Sequence, residues 1–179
     1  MRIVRGSLGG RVLRAPAGAA TRPTSEKVRE AIFNILPDVA GMQVLDMFAG
    51  SGALGIEALS RGAAHATFID LAKPALGVLR TNLRELGIED RTTVLAGDAV
   101  VLAARHVPTS PWQLVFVDPP YRSDLATRSV LALAHLAADP VVVIEHDRRN
   151  APPENLGSLL RTDQRRYGDT MVSFYGVPT

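Results

Sequence analysis

A chain of 179 residues is long enough for one compact domain and too short for two of full size. Its apolar fraction of 46% is that of an ordinary globular protein, no apolar run approaches the ~18 residues of a membrane span, and Met1-Arg2-Ile3-Val4-Arg5-Gly6 lacks the apolar core of a signal peptide, so a cytoplasmic protein without membrane partners is expected. With no cysteine, disulfides, thiolate metal sites, iron–sulfur radical chemistry and cysteine-dependent methylation of pyrimidine C5 are excluded. The net charge of +2 conceals an asymmetry: residues 1–29 hold Arg2, Arg5, Arg11, Arg14, Arg22, Lys27 and Arg29 against Glu26 alone, and the rest is net acidic. A basic arm on an acidic body is the electrostatic footprint of a nucleic-acid binder; a solvated tail is the bland alternative.

In chain order, two arginine-bearing segments flank Gly6-Ser7-Leu8-Gly9-Gly10, which predicts a short hairpin with its arginines exposed. Thr24 or Ser25 caps a helix whose apolar stripe is Val28, Ala31, Ile32, Ile35 and Leu36; Lys27 and Arg29 then point away from the stripe, available to a partner. A strand at Val44–Met47 runs through a glycine turn into a helix over Ala53–Arg61. Next come a strand over Ala66–Asp70, a helix marked by Leu76, Leu79, Leu83 and Leu86, a strand over Thr92–Ala96 and a short helix to His106. Trp112–Val117 is a strand, Leu125–Leu136 a helix and Val141–Ile144 a buried strand; Leu156–Arg166 and Thr170–Tyr175 close the chain as an antiparallel pair. Strands alternating with helices imply a parallel α/β sheet that binds its ligand at the carboxyl ends of the strands. The histidines have no metal-ligand spacing, so no metal is expected and they read as surface or helix-end residues. Trp112 reads as packing.

The chemistry concentrates at two places. Gly50, Gly52 and Gly55 match the spacing of dinucleotide turns, a weak signal alone. Asp46, four residues upstream, would repel a pyrophosphate but attract an ammonium, which favours S-adenosylmethionine over NAD. Asp70 ends the second strand and can accept from ribose hydroxyls. Asp98 can accept from the adenine amine, or simply cap a helix. Asp118-Pro119-Pro120-Tyr121 is the sharper signal: two prolines hold an extended backbone, so the Asp118 carboxylate and the Pro119 carbonyl can both face the crevice as acceptors. Binding the two hydrogens of a nucleobase amine frees its lone pair for attack on a methyl group, while Tyr121 stacks on the base.

Asp46-Met47-Phe48-Ala49-Gly50-Ser51-Gly52 followed by Asp118-Pro119-Pro120-Tyr121 resembles the class I SAM-dependent amino-methyltransferases of nucleic acids. Thr21-Arg22-Pro23-Thr24 and Lys27-Val28-Arg29-Glu30-Ala31-Ile32-Phe33-Asn34 resemble more narrowly the RsmD group, which methylates guanine N2 in bacterial small-subunit (16S) ribosomal RNA. The resemblance implies a Rossmann-like, doubly wound, mostly parallel seven-stranded sheet ending in an antiparallel pair. It implies a basic arm over 1–23 and a methyltransferase domain over 24–179, and the assembled 30S subunit or its precursor as substrate. By position it implies that Asp46, Phe48, Ala49, Gly50, Ser51, Gly52, Asp70, Leu71, Asp98 and Ala99 line the SAM site. Asp118, Pro119 and Tyr121 would then hold the guanine, with Arg2, Arg5, Arg11, Arg22, Thr24, Lys27 and Arg29 meeting RNA; a monomer is expected. Adenine-N6 methylation of DNA, a non-catalytic ribosome-assembly factor and an NAD dehydrogenase are the competing readings.

Overall fold

The computed structural model describes residues 1–16, 25–120 and 124–178. The chain opens as an antiparallel ribbon in which Arg2 bridges Val12 and the Ile3 N–H donates to the Arg11 carbonyl at 2.9 Å. Ile3 and Leu13 turn inward and join the main core, leaving Arg2, Arg5, Arg11 and Arg14 exposed. Arg22 and Thr24 lie outside the described residues.

Twelve sheet and helix elements follow the first helix, α1 (Glu26–Ile35): β1 (Gln43–Met47), α2 (Ala53–Ser60), β2 (His65–Asp70), α3 (Lys73–Leu86), β3 (Thr92–Ala96), α4 (Ala99–Arg105), β4 (Trp112–Val117), α5 (Leu125–Leu131), β5 (Leu136–Asp147), β6 (Asn155–Leu156), β7 (Leu159–Tyr167) and β8 (Thr170–Gly176). They form one sheet in the order β3-β2-β1-β4-β5-β8-β7-β6. The first five strands pair in parallel, and β8, β7 and β6 run antiparallel. The order reverses between β1 and β4, the switch point at which such sheets open a crevice. One sheet face packs Phe68, Phe116, Val143 and Val172 under α1, α2 and α3; the other packs Met47, Val115 and Ile144 under α4 and α5.

Three smaller details depart from the sequence expectation. The sheet has eight strands rather than seven, because Gly157 adopts a φ of 65° and folds the two-residue β6 back on β7. The helix expected to reach Leu136 stops at Leu131: from Leu136 the backbone pairs with β4 instead, and the register shift between Trp112 and Leu114 accommodates Pro140 inside β5. Backbone pairing here overrides the helix propensity of an Ala/Leu-rich run. His146, expected at the surface, is buried between β5 and β8 with Nε2 2.8 Å from Ser173 Oγ, and burial pushes its pKa down.

The largest departure is Arg29. Helix α1 buries Val28, Arg29, Ile32 and Phe33, while Ile35 is 38% exposed, so the inward face is rotated from the expected stripe. Phe33 packs on Phe116 with ring centroids 5.7 Å apart, and Glu57 of α2 draws Arg29 in. Glu57 is itself fully buried. It pairs with Arg29 Nε at 3.5 Å and Arg61 Nε at 2.8 Å, and accepts the Val4 and Arg5 N–H groups at 2.7 and 3.0 Å. Arg29 also donates through Nη2 to the Arg2 carbonyl. Arg29 is therefore not a cation offered to RNA; it is the inner partner of a carboxylate that fastens the ribbon to α2. Breaking a buried pair from one side strands the other charge, so Glu57→Ala is expected to cost about 3–5 kcal/mol. Urea unfolding measures it, and a loss below about 1 kcal/mol would show that water reaches this network.

Candidate active site at the carboxyl edge of the sheet

Parallel pairing sets Met47 beside both Ile69 and Val117, so the segments that follow β1, β2 and β4 leave the sheet along one edge. Those segments carry Phe48–Gly52, Asp70–Leu71 and Asp118–Pro120. Asp98, two residues beyond β3, stands on the same edge, since Ala96 pairs with Asp70.

The turn after β1 is held in an uncommon shape. Phe48 has a φ of 60°, and Gly50 and Gly52 have φ of 56° and 82°. A non-glycine residue in the left-handed region costs about 1 kcal/mol or more and persists only where neighbours enforce it. Two carboxylates do so: Asp70 Oδ2 accepts the Gly50 N–H at 2.8 Å, and Asp46 Oδ2 accepts the Gly55 N–H at 2.8 Å. The other oxygen of Asp70 accepts the Ala72 N–H at 2.8 Å, tying the start of α3 to the same point.

The three glycines serve different ends. A Cβ on Gly52 would lie 2.4 Å from Leu79 Cδ1, and one on Gly55 2.4 Å from the Phe68 ring, so these two let α2 pack against the sheet and α3. At Gly50 a Cβ would find only the Phe48 carbonyl, at 4.0 Å; this glycine faces open space, where a ligand can approach the backbone.

The other predicted positions divide similarly. Asp98 caps α4, its Oδ1 accepting the Val101 N–H at 3.0 Å, while the residue stays exposed. Leu71 is 72% exposed, whereas Ala49, Ser51 and Ala99 are buried. Asp118 is half-buried, Pro119 buried and Pro120 exposed; Tyr121 lies outside the described residues. Sequence reasoning missed Glu57 and Asn82. Both were visible as polar residues on apolar stripes, Glu57 within Leu54-Gly55-Ile56-Glu57-Ala58-Leu59 and Asn82 between Leu79 and Leu86, where a side chain without a partner would be costly.

Burial pushes Asp46 up to about 7, with Asp70 adding to the rise and the Gly55 hydrogen bond opposing it. The unfolded carboxyl titrates near 4, so between about pH 4 and 7 the folded chain keeps a proton that the unfolded chain has lost. Stability accordingly falls as pH rises through that window, by up to about 1.4 kcal/mol per pH unit, with no penalty below it and the full penalty above it. Asp46→Asn retains an acceptor for Gly55 and is expected to abolish this slope in urea titrations; an unchanged slope would place the titration elsewhere.

The chain matches the family described as Conserved hypothetical protein 95 over residues 1–176. It is 41% identical over 181 residues to YlbH of Bacillus subtilis (strain 168), by name a candidate rRNA methyltransferase, with 98% of each chain covered. It is 38% identical to ribosomal RNA small subunit methyltransferase D of Escherichia coli (strain K12), covering 86% of this chain and 78% of that one. The solved Escherichia coli protein yhhF, by title a candidate methyltransferase, superposes with a TM-score of 0.87 at 34% identity, covering 99% of this chain and 97% of that one. A turn held open at Gly50, an acid-Pro-Pro segment on the neighbouring strand and a similarity spanning nearly every residue agree: the chain belongs to the RsmD-type methyltransferase family.

Proposed function

We propose that this protein transfers a methyl group from S-adenosylmethionine to the exocyclic N2 amine of a guanine in small-subunit ribosomal RNA, on the 30S subunit or an assembly intermediate, in the cytoplasm. The observation that carries the reading is the open backbone at Gly50, one strand away from Asp118-Pro119-Pro120. Relatives named as small-subunit rRNA methyltransferases support it.

The residues fit the cofactor. Gly50 leaves room for close approach, and a ligand ammonium near the carboxyl end of β1 would offset the cost of ionising the buried Asp46. Each carboxylate oxygen of Asp70 is occupied by one N–H and keeps a second lone pair, so ribose hydroxyls can still be bound. Leu71 and Ala99 would flank the adenine, and Asp98 would take its amine. When bound, the cofactor supplies an electrophilic methyl group on a sulfonium.

On the acceptor side, the Asp118 carboxylate and the Pro119 carbonyl accept hydrogen bonds from the two amine N–H groups, which turns the nitrogen lone pair outward from the base. The Asp118 carboxylate is the group that receives the one proton the methylated nitrogen sheds. Tyr121 stacks on the ring. An amine in a paired or stacked base is out of reach, so the guanine enters from a loop or by flipping, at a cost of a few kcal/mol.

Arg2, Arg5, Arg11, Arg22, Thr24 and Lys27 meet the RNA. Arg5 is paired with Glu30 at 3.2 Å with both side chains well exposed, a contact worth at most about 1 kcal/mol, so it can exchange for a phosphate.

Asp118→Ala should leave S-adenosylhomocysteine (SAH) affinity within about threefold while lowering methyl transfer to small subunits by about 100-fold or more; near-normal turnover would remove its role. Duplex DNA as the better acceptor would redirect the reading to adenine. With four or five arm cations on phosphate, log affinity for RNA should fall against log salt with a slope of about −3 to −4.5, and a flat response would exclude the ribbon from the interface.

A further inference from the structure

We propose that Asn82 is a positioning residue that couples occupancy of the glycine turn to the setting of the amino-terminal ribbon. The inference rests on the function proposed above, in which the turn holds the cofactor and the ribbon meets RNA.

Asn82 lies on α3 and is 1% exposed. Its Oδ1 accepts the Arg14 N–H at 2.9 Å, and its Nδ2 donates to the Arg14 carbonyl at 3.1 Å and to the Ser51 carbonyl at 3.0 Å. Both amide hydrogens are thereby used, one at the end of the ribbon and one inside the turn between Gly50 and Gly52. The side chain pairs with Arg14 as a neighbouring strand would, then reaches across to the backbone of the turn at Ser51, next to the open Gly50.

The first ribbon segment is fastened to the same unit at its other end. Ser7 N–H donates to the Ser60 carbonyl at 2.8 Å, Leu8 N–H to Ser60 Oγ at 3.0 Å, and Ser60 Oγ to the Arg5 carbonyl at 2.5 Å. Ser60 ends α2, the helix that Gly52 begins. No Cβ is tolerated where the two touch, since one on Gly6 would lie 1.9 Å from the Ser60 carbonyl oxygen. Helices α2 and α3 therefore hold the ribbon at both ends, and the Asn82 side chain hydrogen-bonds the ribbon and the turn at once. A ligand that stiffens the turn stiffens Arg14 through three hydrogen bonds, and by reciprocity RNA on the ribbon stiffens the turn.

The test is amide hydrogen exchange with and without saturating SAH, combined with calorimetry and methyl-transfer kinetics. In the wild type, SAH should slow exchange at Leu13 and Arg14 by about 10-fold or more. In Asn82→Ala, SAH still binds, that slowing disappears, and KM for RNA rises by about 10-fold with kcat within about twofold. Glu85→Ala removes the outer Arg14–Glu85 pair without touching the turn and should keep the slowing. No ligand effect at Arg14 in the wild type, or an effect that survives Asn82→Ala, overturns the coupling. Should Asn82→Ala fail to fold, Asn82→Asp keeps an acceptor for the Arg14 N–H but has no donor for the Ser51 carbonyl, and the slowing at Arg14 should disappear in it too; slowing that persists there overturns the coupling. Absence of SAH binding to the wild type would overturn the proposed function itself, and calorimetry separates that result from the others.

Discussion

Two carboxylates accepting backbone N–H groups, Asp46 from Gly55 and Asp70 from Gly50, hold the turn on which the rest of the site depends. The turn needs Phe48 and Gly50 in the left-handed region, a shape that water-exposed chain would abandon. Anchoring it to the ends of two adjacent strands lets the sheet meet that cost. The same bonds aim the start of α2 and α3, so the local strain and the layout of the crevice have one cause. For Asp46 the result is a buried acid whose charge the fold disfavours, which leaves it responsive to a neighbouring cation.

The ribbon belongs to this arrangement rather than hanging from it. Ile3 and Leu13 share the core with α1, α2 and α3, and Glu57 binds two ribbon N–H groups along with Arg29 and Arg61. A buried carboxylate between two guanidiniums is costly to desolvate, and its contribution here is registry: it fixes where the ribbon lies on α2. The arm's positive charge is correspondingly reduced. Arg29 is internal, Arg14 pairs with Glu85 at 2.5 Å, and Arg5 pairs with Glu30.

Much of this was legible from the order of residue types. β3 and β4 have the bounds expected of them, Gly87 caps α3 in the left-handed conformation, and the Gly168-Asp169 turn joins β7 to β8. The errors occur where one pattern admits two partners. Around Leu136 a helix-forming composition meets a strand that can extend, and pairing with β4 wins. At Arg29 a charge on the edge of an apolar stripe reads as solvent-facing until a distant acid is placed opposite it.

The sequence by itself determined the alternation of strands and helices, the glycine turn and the acid-Pro-Pro segment, because period, turn chemistry and proline geometry are local properties. Only the tertiary structure decided which glycine faces a ligand and which face packing, that Asp70 first serves the backbone of the turn, and that Glu57 and Asn82 join the ribbon to it. Those outcomes depend on contacts between residues up to 68 positions apart, as between Arg14 and Asn82, and no local pattern of side chains specifies which distant backbone group a buried polar side chain will meet.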